Sequence, residues 1–227
     1  MLIHGYMAGQ YALEERAWPI EWLMKCGLDV AVAVLPFHAM RASPGRRRRP
    51  PPFPGADPRF TNEGFRQAVL DVRGLVGFLR GRGAPSVGVM GMSLGGYTTA
   101  LLATVERQLA FAVPIIPVAS IADFARDQGR LGDGHEIAAQ HAALEEANAI
   151  VSPFARPSLL PRDRVLVIAG DADRIAPPAH AERLARHFHA PLVRFHGGHL
   201  LQFGRGGAFR EVGKLLRRLT APHPGRG

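Results

Sequence analysis

The sequence predicts an α/β fold in which a mostly parallel sheet is covered by helices on both faces. Apolar runs typical of buried strands alternate along the chain with segments of helical periodicity. One such run, Val30–Leu35, is continuously apolar, as expected for a strand buried on both faces. The length of 227 residues and the hydrophobic content of 47% are sufficient for one globular domain spanning 1–227.

The first half of the chain supplies three predicted strands and the helices that connect them. In order, the pattern predicts a strand at 1–3, helices near 10–25, a strand at 29–35, a loop to about 60, a helix at 62–80, a strand at 86–90 and a helix at 94–106. Thr61 is placed to cap the helix that follows it. Phe65, Val69 and Val72 recur at helical spacing, so this helix is predicted to pack on the sheet.

The second half continues the alternation, with strands near 111–117, 164–169 and 192–195 and a last helix near 206–219. The segment 118–160 is inserted between strands, and Ala138–Ile150 within it has helical character. We expect this insertion to form a lid. Its apolar side chains either line an acyl or leaving-group pocket or anchor the insertion on the core; they are Ile121, Phe124, Leu131 and Phe154.

The residues Gly91-Met92-Ser93-Leu94-Gly95 lie between the strand at 86–90 and the next helix. A serine flanked by glycines on a sharp strand-to-helix turn is the arrangement that exposes a hydroxyl for nucleophilic attack. The alternative is an ordinary glycine-rich turn with a capping serine. The partners found downstream favour the first interpretation, with Ser93 as the nucleophile.

A serine nucleophile requires a base, and the base requires a carboxylate that fixes its tautomer. Asp171 and Asp173 both follow the strand at 164–169, and Asp173 is favoured because Gly-x-x-Asp followed by a proline and a helix resembles the acid turn of serine alpha/beta-hydrolases, whereas Asp171 would shape the turn with its side chain. Farther along, two glycines precede His199 and allow its loop to project the ring. His196 lies closer to the strand end, where we expect it to pack. His199 is therefore the predicted base.

A negatively charged intermediate needs two backbone donors, and the amide of Leu94, directly after the nucleophile, is the first candidate. His-Gly-aromatic at His4–Tyr6, then Gly-x-Ser-x-Gly, Gly-x-x-Asp and Gly-Gly-His, in that order, resemble the alpha/beta-hydrolase family across almost the whole chain. The resemblance implies the amide of Tyr6 as the second donor, with Met7 as the alternative. Shorter motifs within Leu35–Arg41 and Asn62–Arg73 resemble bacterial relatives of the animal alpha/beta-hydrolase domain-containing protein 18.

The chain departs from the family at its beginning, because alpha/beta-hydrolases usually have two more strands before the His-Gly turn, which begins here at residue 4. Without them, the strand at 29–35 becomes an apolar sheet edge. Two explanations are that the native chain begins upstream of Met1 and that another subunit, as in a homo-oligomer, covers this edge.

The chain is strongly basic, with a net charge of +9 at pH 7 and its densest cluster at Arg46–Arg49. Such a cluster attracts anionic substrates or lipids, but without a recognition helix or aromatic platform a solvated insertion is favoured over nucleic-acid binding. His38 and Arg41 follow a strand end, where they either contact a polar or anionic substrate group or are solvated. The single Cys26 excludes an internal disulfide.

No basic segment precedes the first apolar residues, so no signal peptide is predicted, and a soluble cytoplasmic protein is expected. The remaining histidines, including His187 and His189, lack metal-ligand spacing, so we predict no metal site.

Together these features predict a serine hydrolase acting on a small-molecule carboxylic ester or related acyl compound, with no cofactor. Ser93 attacks the carbonyl, His199 transfers the proton, and Asp173 orients His199. An acyltransferase shares the same triad, and a non-catalytic binding protein on a hydrolase scaffold is the alternative from another class.

Overall fold

The computed structural model describes residues 1–46 and 49–220, and its strands form one parallel sheet of six. The strands are β1 (Leu2–Ile3), β2 (Val32–Ala33), β3 (Val87–Met92), β4 (Leu109–Ile115), β5 (Val167–Gly170) and β6 (Leu192–Phe195). Their order across the sheet is β2-β1-β3-β4-β5-β6, and every pair is parallel. The predicted parallel α/β architecture is confirmed.

Helices cover both faces of this sheet. They are α1 (Tyr11–Ala17), α2 (Ile20–Lys25), α3 (Pro58–Gly81), α4 (Leu94–Ala103), α5 (Ile121–Asp127), α6 (Glu136–Ala147), α7 (Pro178–Phe188) and α8 (Arg205–Thr220). Side chains of α3, α4 and α7 share one hydrophobic core with Val89 of β3, whereas those of α2 and α8 share a second core with the adjacent Met90. Successive strand residues point to opposite faces, so the two cores lie on opposite sides of the sheet.

Helix α3 begins four residues earlier than the pattern predicted. Asp57 is its N-cap and accepts a hydrogen bond from the Arg59 amide at 2.9 Å, and Pro58 occupies the first helical position. The prediction that Thr61 caps this helix is wrong, because Thr61 lies inside its first turn. The Thr61 hydroxyl instead donates to the Gly55 carbonyl at 3.0 Å and fixes the loop that enters the helix.

Strand β2 lies at one edge of the sheet, as expected, but has only two residues. Its side chains are half-buried, so the prediction of a strand buried on both faces is wrong. The edge position explains the exposure, because no strand of the described residues pairs with its outer side. Arg41 partly covers this edge: its Nη1 donates to the Val34 carbonyl at 2.8 Å and pairs with Asp71 at 2.6 Å.

The segment 118–160 contains α5, α6 and the short 3₁₀ helices Ala149–Val151 and Pro153–Ala155. Ser120 caps α5 by accepting the Asp123 amide at 3.0 Å. Among the described residues, no helix combines the length and apolarity needed to cross a bilayer. Arg47 and Arg48 of the arginine cluster lie outside the described residues.

Candidate active site

Ser93 occupies the turn between β3 and α4 in a strained backbone conformation, with φ 55° and ψ −113°. The flanking glycines are required by close backbone approaches. A Cβ atom on Gly91 would lie 2.1 Å from the Gly95 carbonyl oxygen, and one on Gly95 would lie 2.2 Å from the Ile3 carbonyl oxygen. The turn therefore packs directly against β1 and holds the serine at the carboxyl end of the sheet.

Asp173 follows β5, and its side chain is completely buried. Its Oδ2 lies 2.6 Å from Nδ1 of His199. Its Oδ1 accepts two backbone N–H groups, from Ile175 at 2.9 Å and Ala176 at 2.8 Å. Three hydrogen bonds thus hold the carboxylate in one orientation, toward the histidine.

The alternative acid and base lie elsewhere. Asp171 is exposed and accepts a hydrogen bond from Nε of Arg194 at 2.6 Å. The side chain of His196 is 96% exposed, so the expectation that it packs at the strand end is wrong. The adjacent Phe195 takes the buried position at the end of β6, which leaves His196 on the solvent side.

Ser93 and His199 line the same cleft. Because Nδ1 of His199 contacts a carboxylate, the ring proton belongs on Nδ1 and leaves Nε2 as the acceptor. No hydrogen bond joins Ser93 to His199 among the described residues; in a free enzyme such contacts tighten when substrate binds. Gln202 supports the histidine loop by donating to the His199 carbonyl at 3.1 Å.

His4 lies fully buried beneath the turn that contains Gly5 and Tyr6. Its Nε2 accepts the Leu35 amide at 2.9 Å, so Nδ1 carries the proton and donates to the Gly5 carbonyl at 2.7 Å. Burial lowers the pKa of His4 to about 4, and the ring is neutral at pH 7. The Gly5 carbonyl and the Tyr6 N–H belong to one planar peptide, so this hydrogen bond also fixes the direction of the Tyr6 donor.

Glu14, on α1, completes the support of this turn and was missed by the sequence reasoning. Its Oε1 accepts the Gly9 amide at 2.8 Å, and its Oε2 accepts the Trp18 indole N–H at 3.0 Å. Gly9 adopts φ 99° and packs against the His4 ring, since a Cβ atom there would lie 2.6 Å from His4 Nε2. The spacing of Glu14 and Trp18, one helical turn apart, was the available signal.

His38 does not line the cleft, so its prediction as a substrate contact is wrong. Phe37 has φ 64° and reverses the chain, which carries His38 into the interior. There its Nδ1 lies 2.8 Å from the Pro36 carbonyl, and its ring lies 5.0 Å from that of His4. Arg41 also lies outside the cleft, because its pairing with Asp71 directs it to a separate groove along β2; a contact between Arg41 and substrate stays a prediction.

The cleft has a volume of about 490 Å³ and a largely apolar wall. The wall includes Met7, Trp18, Pro54, Met92, Ile116 and Val118. Of the four apolar residues singled out in the segment 118–160, Ile121 and Phe124 line the cleft. Phe154 instead packs beneath the guanidinium of Arg183, which lies 4.1 Å from its ring centroid. The insertion thus both lines the cleft and anchors on the core.

Asp123, His141 and Glu145 bring three ligand-type atoms within 4.8 Å of one another. The guanidinium of Arg183 contacts both carboxylates, at 3.3 Å from Glu145 and more closely at Asp123. A protein cation therefore already balances this acidic cluster, which connects α5, α6 and α7.

Comparison with known proteins relates the chain to hydrolases. Residues 84–195 match the prolyl oligopeptidase family model. The structure is similar to an esterase of Pyrococcus furiosus, with a TM-score of 0.65, 16% identity and coverage of 96% of this chain and 82% of the esterase. Acetyl xylan esterase 1 of Thermoanaerobacterium sp. gives a TM-score of 0.61 at 19% identity, covering 97% and 74%. These similarities show that the chain has the alpha/beta-hydrolase fold.

Two curated relatives, uncharacterized proteins from two strains of Mycobacterium tuberculosis, are 32% identical over 206 residues. The match covers 87% of this chain and 48% of theirs, so the chain spans about half the length of the curated relatives it matches. The closer relationship to bacterial relatives of alpha/beta-hydrolase domain-containing protein 18 stays a prediction.

Proposed function

We propose that the protein is a serine hydrolase that cleaves a carboxylic ester or a related acyl bond. The observation that carries this proposal is the Asp173–His199 pair, 2.6 Å apart, in the cleft that Ser93 also lines. The alpha/beta-hydrolase fold and the match to the prolyl oligopeptidase family support the same type of chemistry.

In the proposed reaction, Ser93 Oγ attacks the substrate carbonyl while Nε2 of His199 accepts the hydroxyl proton. Asp173 keeps the proton of the neutral ring on Nδ1 and stabilises the imidazolium that forms. His199 then returns its proton to the departing alcohol, and the acyl group remains on Ser93. A water molecule, deprotonated by His199, attacks this acyl-enzyme and releases the acid, so no step requires a cofactor.

The tetrahedral intermediates carry a negative oxygen, and we assign its stabilisation to two backbone donors. Leu94 is the first residue of α4, so its N–H lies at the positive end of the helix. The N–H of Tyr6 is the second donor, and Met7 is the alternative. Because His4 and Glu14 hold this turn before substrate arrives, the donors need no rearrangement during the reaction.

We assign the segment 118–160 as a lid. Ile121 and Phe124 come from it and line the cleft together with Trp18. Closure of such a segment over an ester would exclude bulk water and strengthen the electrostatic interactions at the carbonyl. The apolar wall favours a substrate whose acyl or alcohol portion is hydrophobic.

Hydrolysis of p-nitrophenyl esters from acetate to decanoate tests the proposal. We expect steady release of p-nitrophenol by the wild type and a loss of at least about 10³-fold in Ser93→Ala. Ser86→Ala, at an exposed serine outside the cleft, is the matched control and should retain the wild-type rate. Equal rates in Ser93→Ala and the wild type would contradict the proposal, and a burst followed by transfer to an added alcohol would identify an acyltransferase.

A further inference from the structure

Arg130 is an exposed cation at the rim of the cleft and lies just after α5. The ion pairs found among the described residues do not include it, although four other arginines of the segment 118–220 pair with carboxylates there. Those paired arginines are Arg126, Arg183, Arg186 and Arg194. The charge of Arg130 is thus available to a molecule that enters the cleft.

The backbone holds Arg130 in a defined position at the end of α5. Its amide donates to the Ala125 carbonyl at 2.8 Å, and the Gly129 amide donates to the Arg126 carbonyl at 3.0 Å, which together form a Schellman C-cap. Gly129 has the required positive φ of 63°. The guanidinium carbon lies 5.6 Å from the centroid of the Phe124 ring, which also lines the cleft, so the side chain follows the cleft wall.

A second arginine lies near this rim. Gln128 donates from Nε2 to the Ile175 carbonyl at 3.1 Å and to the Arg174 carbonyl at 3.4 Å. This contact holds the end of α5 against the turn that carries the acid Asp173. Arg174 is exposed and, like Arg130, is absent from the ion pairs of the described residues. The rim therefore has a locally positive potential.

The acidic groups near the cleft do not neutralise this rim directly. The carboxylate of Asp173 is buried and is already the acceptor of three N–H groups. Glu14 is only 2% exposed, and its two oxygens accept the N–H groups of Gly9 and Trp18. Of the charged residues described in the cleft lining, Arg130 is the one whose charge faces solvent.

We propose that Arg130 binds a carboxylate on the substrate, so that the preferred substrates are esters whose apolar body ends in a carboxylate remote from the scissile bond. A guanidinium presents paired N–H donors that match the two oxygens of a carboxylate. The apolar wall between the rim and Ser93 accommodates the hydrocarbon part. This inference rests on the proposed hydrolase function and names its substrate class.

A matched pair of esters tests the inference: mono-p-nitrophenyl suberate, which carries a free carboxylate, and its methyl ester, which does not. The quantity measured is the ratio of kcat/KM for the acid to kcat/KM for the methyl ester. Arg130→Gln should lower this ratio about fivefold to tenfold, and Arg130→Lys should retain part of it. Added salt should lower the ratio in the wild type more than in Arg130→Gln.

Arg82→Gln, at an exposed position after α3, is the control and should keep the wild-type ratio. Thermal unfolding of each variant verifies that it is folded. If both esters are hydrolysed and the ratio is the same in the wild type and Arg130→Gln, this inference is overturned while the hydrolase function stands. If neither ester is hydrolysed and a fluorophosphonate does not label Ser93, the hydrolase function fails and this inference with it.

Discussion

The substitution Asp173→Asn removes the acid function while leaving most of its hydrogen bonds intact. Two backbone N–H groups bind Oδ1, so they should hold the single carbonyl oxygen of the asparagine in that position. The amide NH₂ then replaces Oδ2, 2.6 Å from Nδ1 of His199. It can only donate to Nδ1, which moves the ring proton to Nε2. A ring in that tautomer cannot accept the proton of Ser93.

The expected loss in kcat is about 10⁴-fold, or about 5.5 kcal/mol of transition-state stabilisation. The effect on folding is much smaller, because one charge-assisted hydrogen bond is exchanged for a neutral one at a cost of about 1–3 kcal/mol. For a chain of this length, that cost lowers Tm by roughly 2–12 °C. Steady-state hydrolysis of p-nitrophenyl butyrate and a thermal melt measure the two quantities separately.

Asp171→Asn is the matched control. It loses an exposed ion pair with Arg194, whose contribution is small, and should change kcat by less than about twofold. If Asp171→Asn lost more activity than Asp173→Asn, the assignment of the acid would be refuted.

Three further perturbations test the support of the site. Burial lowers the pKa of both His4 and His38 to about 4, so the unfolded chain takes up protons first as the pH falls. The free energy of unfolding is therefore highest above pH 6.5. Between pH 6.5 and pH 4 it should fall by roughly 3 kcal/mol for each histidine. Urea unfolding at a series of pH values across this range measures the fall. Gly95→Ala should prevent correct folding of the turn, because the added Cβ atom would lie 2.2 Å from the Ile3 carbonyl oxygen. A variant with the melting temperature and activity of the wild type would contradict this expectation. Glu14→Ala should lower kcat about tenfold or more with little change in KM, because it releases the loop that carries one oxyanion donor. Glu14→Gln should recover part of this loss. An effect on KM alone would argue against a positioning role for Glu14.

The sequence was sufficient to predict those parts of the structure that are determined by local sequence patterns. The glycines around Ser93 are imposed by backbone approaches of 2.1–2.2 Å, so the turn is visible as a motif. The strand predicted at 192–195 and the last helix near 206–219 agree with β6 and α8, because alternation and helical periodicity are local signals. The order of the motifs also predicted that Asp173 and His199 lie together.

The sequence was insufficient where tertiary contacts decide a side chain's environment. His38 follows a strand end, as a substrate contact would, yet the reversal at Phe37 buries it. Arg41 forms an ion pair with Asp71, thirty residues later in the chain, and therefore lies outside the cleft. Glu14 carries no motif, and its role depends on the amide of Gly9 coming within 2.8 Å in the folded chain.

Labelling of the purified protein with a fluorophosphonate, followed by mass spectrometric mapping, tests most directly that Ser93 is an activated nucleophile. The proposed triad predicts stoichiometric modification at Ser93, no labelling of Ser93→Ala, and labelling of Asp173→Asn slowed by about 10³-fold or more. A folded protein that remains unmodified, or that is modified at another residue, would contradict the assignment of this cleft as a serine hydrolase site.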